Sequence, residues 1–120
     1  MMVLADTSVW IDHFHHGEPL LASALEEGSV LTHPFVIGEL ACGNLHRRTE
    51  ILRLLGELPQ APVASNSEVL AFIERRKLMG RGIGFVDAHL LASVTLAGSA
   101  TLLTADRRLS VIAKQLRNDG

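Results

Sequence analysis

The sequence has no Tyr, one Trp and only four Phe among its 120 residues. Aromatic platforms for stacked bases are therefore a poor candidate for recognition. A single cysteine, Cys42, excludes an internal disulfide and fits a reducing compartment best. Nothing basic precedes the first apolar run, and Asp6 interrupts that run early, so a secretory signal is not expected. No stretch reaches the roughly 18 apolar residues that a membrane span requires. A cytoplasmic protein without membrane association is the expectation. The formal net charge of -2 provides no global basic field, so any contact with a polyanion must rest on a local patch. Repeats, low-complexity tracts and long linkers are lacking too, and 120 residues leave room for one domain, 1–120.

What is present is apolar and alternating. The apolar fraction is 48% and the mean hydropathy +0.26, well outside the disordered regime. It is somewhat high for a small monomer, which hints at a surface covered by a partner. MMVLA reads as a short strand buried on both faces, because the run is continuous rather than alternating. Thr7 and Ser8 can cap a helix carrying Val9, Trp10, Ile11 and Phe14, which Gly17 breaks. A second helix runs to Gly28, SVLTH forms a strand, and Pro34 opens the helix FVIGELACG. RRTEILRLLGEL is helical, and APVA is a short strand before the amphipathic helix SEVLAFIERRKLM. Gly80, Gly82 and Gly84 mark a flexible loop; they give half a nucleotide fingerprint and follow no strand. FVDAHLLASVTLAG is an apolar helix, TLLT a strand and DRRLSVIAKQL the last helix. Short strands alternating with helices predict an α/β fold, a parallel sheet with helices on both faces.

Four acids stand out on this map. Asp6 and Asp106 each follow an apolar strand and open a helix, at the sheet edge where ligands of α/β proteins bind. Glu39 has Phe35 and Val36 behind it, and Asp87 has Leu90, Leu91 and Val94 ahead, so both are expected on inward helix faces. Each has a bland alternative: a cap for Asp6 and Asp106, a first-turn acid for Asp87, a paired internal charge for Glu39. Jointly those alternatives are weaker, since all four acids must then point to one rim by coincidence. Four carboxylates in one pocket repel, and a hard divalent cation is the commonest remedy. Oxygen ligands suit Mg²⁺ or Mn²⁺ and point to phosphodiester hydrolysis.

LADTSVWIDHF, VIGELACG, GRGIGFVDAHLLA and LLTADRRL, in this order and at this spacing, resemble the acidic motifs of PIN-domain ribonucleases, specifically the VapC-type toxins of bacterial toxin–antitoxin pairs. The resemblance covers nearly the whole chain. It implies a PIN-like fold with a short parallel sheet of four or five strands, and metal-dependent endoribonuclease activity on structured RNA such as tRNA or rRNA. It also implies a homodimer and inhibition by a VapB-like antitoxin. Asp6, Glu39, Asp87 and Asp106 become the metal site, with Ser8 and Thr104 as hydroxyls orienting those acids. QLRNDG follows the last helix where many relatives have an apolar terminal strand.

Among other polar residues, Arg107 and Arg108 lie beside Asp106 and are expected to meet RNA phosphates. His13, His15 and His16 cannot converge on one ion from a single helix and read as surface residues. His89 should point away from Asp87, and Trp10 suits a core or dimer interface. A receiver domain would need an acid after a central strand, and SVLTHP and APVAS have none. A metal-dependent adhesion motif wants Ser where Trp10 stands, and an aspartyl phosphatase wants Asp where Ser8 stands. The remaining rival is a catalytically silent PIN-like domain that binds RNA or protein.

Overall fold

A computed structural model of the chain describes residues 1–119. MVLA forms β1 (Met2–Ala5), with Leu4 and Ala5 wholly buried, as a continuous apolar run in a parallel sheet requires. α1 (Thr7–His16) and α2 (Pro19–Glu26) follow, the second opened by Pro19 and by the Glu18 carboxylate accepting the Leu21 N–H. β2 (Val30–Leu31) leads into α3 (Pro34–Cys42), then come α4 (Arg48–Glu57) and α5 (Asn66–Arg76). Ser65 and Glu68 exchange hydrogen bonds as a capping box at the start of α5, which fixes that helix start in the serine cluster. α6 (Phe85–Ala97), β3 (Ala100–Leu103) and α7 (Arg107–Asn118) complete the chain.

The strands are parallel and ordered β2-β1-β3, with Val3 opposite Val30 and Thr101. The chain leaves β1 on one side and returns to it on the other, so right-handed connections carry the helices over opposite faces. The same reversal opens a crevice beyond the carboxyl ends of β1 and β3. Asp6 and Asp106 both follow those ends. Beneath lies one apolar cluster, in which Leu4, Leu21, Leu40, Leu90, Leu91 and Leu109 are each at most 1% exposed. Trp10 belongs to it, at 3% exposure.

The sheet is smaller than the expected four or five strands: the described residues hold three. The missing member is APVA. Thr32 makes a single parallel bridge to Gln60, donating to the Pro59 carbonyl and accepting from the Ala61 N–H. Pro59 and Pro62 have no N–H to extend that ladder, so it stops after one rung. β2 consequently stands at one edge of the described sheet, with β3 at the other. Among the described residues, no helix is long and apolar enough to cross a membrane.

Candidate active site

Asp6 is buried, 7% exposed, at the N-cap of α1. Its Oδ1 accepts the Val9 N–H at 3.1 Å and the Ser8 hydroxyl at 2.7 Å, and its Oδ2 accepts the Thr104 hydroxyl. Thr104 reaches across the crevice from the end of β3. The same hydroxyl oxygen accepts the Asp106 N–H at 3.1 Å. Asp106 in turn caps α7, its Oδ1 accepting the N–H groups of Arg108 and Leu109 at 2.9 and 3.2 Å. One threonine thus couples two acids, and Ser8 holds the first.

Asp87 sits in the first turn of α6, half-buried, and its Oδ2 accepts the Gly84 N–H at 3.1 Å. Burial pushes its carboxyl above the usual range; the Gly84 bond opposes this, while the charges of Asp106, Asp6 and Glu39 push further upward. The other three acids are therefore close enough to be felt at one carboxylate. Glu39 departs from expectation. Val36 and Leu40 form the inward face of α3, whereas Glu39 is exposed beside that face and accepts the Thr7 hydroxyl. An acid at the rim needs no buried partner, only a neighbour to aim it. Thr7 supplies that aim, and its place between Asp6 and Ser8 in DTS was a visible signal of it.

Among the described residues, no salt bridge joins a basic side chain to any of these four acids. The ion pairs among the described residues are Arg47–Glu50 at 3.5 Å and Arg53–Glu57 at 2.9 Å, both at α4 and exposed. Nor, among the described residues, are three acidic, His or Cys side chains already gathered into a cage. Hydroxyls and backbone N–H groups hold the carboxylates apart instead. That spread suits Mg²⁺, which dehydrates reluctantly and takes one or two carboxylates plus waters and substrate phosphates, better than an ion needing an all-protein shell. The donor set therefore fits Mg²⁺ or Mn²⁺, with all-oxygen ligands on one rim.

Both arginines after Asp106 are exposed. Arg108 lies across the glycine loop before α6: a Cβ on Gly82 would stand 2.4 Å from its Nη1 and 2.7 Å from its Cδ. Gly82 also has φ +83°, where an L side chain is strained. We predict that Gly82→Ala lowers stability by about 1–2 kcal/mol through its backbone alone and additionally evicts Arg108. Gly80→Ala, at φ +70° with nothing within 4 Å, has only the backbone cost, so denaturant titration of the two variants isolates the contact. Equal losses would show that the Arg108 contact contributes nothing.

Of the three histidines expected at the surface, His13 is instead half-buried and packed edge-on against Trp10. His15 and His16 are exposed, and His13 turns its Nδ1 to the Glu18 N–H at 3.1 Å. His89 is 1% exposed and shares a 3.0 Å hydrogen bond with Asn66 Oδ1, away from the acids. Asn66 had no distinguishing sequence signal.

Residues 3–115 match the PIN domain family. Two Mycobacterium tuberculosis proteins, each named Ribonuclease VapC32, one from strain CDC 1551 / Oshkosh and one from strain ATCC 25618 / H37Rv, are similar to the chain. Each is 48% identical over 108 residues, spanning 90% of this chain and 87% of the relative. With the family matched along nearly the whole length and the four acids on one rim, the chain belongs to the PIN-domain family and, within it, to the VapC ribonucleases.

Proposed function

We propose that the chain is an endoribonuclease dependent on Mg²⁺ or Mn²⁺ and that it acts as the toxin of a toxin–antitoxin pair. The observation carrying this reading is the environment of Asp87: burial first, and then the charges of three further carboxylates, raise its proton affinity, and no basic side chain among the described residues pairs with any of them. Asp6, Glu39, Asp87 and Asp106 would hold the metal, which supplies charge neutralisation at the scissile phosphate and activation of a water. Asp6 accepts hydrogen bonds from three donors, and Asp87 is the acid whose proton affinity is raised. Thr104 and Ser8 fix Asp6, and Thr7 fixes Glu39. Arg107 and Arg108, exposed at the rim, contact RNA phosphates.

The partners proposed with this activity are structured RNA, a VapB-like antitoxin and a second copy of the chain. Large apolar side chains left in water support a covered surface: Leu20 is 65% exposed, Leu96 58% and Leu70 57%. A cytoplasmic setting fits the single, exposed thiol of Cys42.

Incubating the purified protein with total RNA tests the activity. Fragments that require Mg²⁺ and vanish with EDTA are expected. Retention of RNA without any metal-dependent fragments would leave the silent RNA-binding domain in its place.

A further inference from the structure

The chain is poor in aromatic rings, yet two of its four Phe pack on one histidine, on the helices that carry Glu39 and Asp87. Phe85 is the first residue of α6, two before Asp87, and Phe35 lies on α3 one turn before Glu39. His89 stands between them. Its ring centroid is 4.5 Å from that of Phe35 and 4.7 Å from that of Phe85, the latter edge-on at 86°. His33 adds a fourth ring, 5.3 Å from Phe35. The inner members are sealed from water, His33 at 0% and His89 at 1% exposure, whereas Phe85 is 42% exposed. Next to it, a Cβ on Gly84 would meet nothing within 4 Å, so the mouth of α6 is open.

A lone exposed Phe is ordinary. This one is the outer ring of a cluster of four rings packed edge-on or tilted against one another, on the same helix turn as a candidate metal-binding acid. A flat, uncharged face beside a cluster of carboxylates suits a group that is itself flat and uncharged. A nucleobase adjoining the scissile phosphate is such a group. We propose that Phe85, backed by His89 and Phe35, is the platform on which the base next to the cut stacks, a positioning residue for the substrate at this site. The proposal rests on the ribonuclease reading above. Composition counts rings but does not place them.

Stacking one base on an aromatic side chain is worth about ten- to a hundredfold in affinity. The test uses RNA oligonucleotides with 2-aminopurine at each position around the mapped cut, mixed with excess protein in a stopped-flow instrument and read before cleavage. One position is expected to be quenched by the wild type and by Phe85→Tyr, but not by Phe85→Leu, which keeps the apolar cover of His89 without a π face. In steady-state assays, removing the base at that position should raise KM about tenfold or more for the wild type and leave Phe85→Leu unchanged. Quenching or base dependence that survives equally in Phe85→Leu would overturn the platform. Absence of cleavage by the wild type, with position-specific quenching intact, would instead overturn the ribonuclease reading and leave the base platform standing.

Discussion

Asp87→Asn is expected to lower kcat/KM for RNA cleavage by about a thousandfold, the loss that follows from removing some 4 kcal/mol of transition-state charge stabilisation. Asn is nearly isosteric and its Oδ1 can still accept the Gly84 N–H, so the α6 start should survive. What disappears is the negative charge. Thr104→Val leaves all four acids in place and removes only the hydroxyl linking Asp6 to the Asp106 N–H; a ten- to hundredfold loss is expected for such an orienting group. Single-turnover cleavage of one defined RNA by the two variants separates these roles. Comparable modest losses from both would mean that Asp87 orients other groups and is not itself a metal ligand.

How much of this was legible in the sequence depended on whether a residue's role is local. Asp6 and Asp106 were readable because a strand, a hydroxyl and a helix start surround each within a few residues, and the caps formed as that grammar requires. Asp87 followed from its place in the first turn of an apolar helix. Glu39 was found for a partly wrong reason. Its helix is apolar almost all round, so counting neighbours at i−4 and i+3 could not distinguish the buried face, set by Val36 and Leu40, from the rim. The strand expected at Ala61–Ala64 failed on Pro62, whose missing N–H counts for more than the apolar character of its neighbours. Phe35 meeting Phe85 through His89, and Arg108 lying on Gly82, join segments far apart in sequence. No periodicity encodes such contacts.

Mg²⁺ at a hundred times its dissociation constant should stabilise the folded chain by about 2.7 kcal/mol, roughly 10 °C in Tm for a chain of this size at pH 7.5. The raised proton affinity of Asp87 sets the sign of the pH dependence. A carboxyl whose pKa is higher folded than unfolded favours the fold while it is protonated, below its unfolded value. That contribution is lost as pH rises through the folded value, so at neutral pH the ionised Asp87 burdens the metal-free protein. A divalent ion binds the ionised carboxylates, relieves that burden and displaces any proton still held. The Mg²⁺-induced rise in Tm should therefore shrink as pH falls through the raised pKa of Asp87. Asp87→Asn should invert the usual cost of an active-site change: its metal-free Tm at pH 7.5 rises above that of the wild type, while its response to Mg²⁺ largely disappears. Scanning calorimetry over a series of pH values reads both effects. An Asp87→Asn protein that gained as much from Mg²⁺ as the wild type would place the ion elsewhere, and the repulsion among the four acids would then need another explanation.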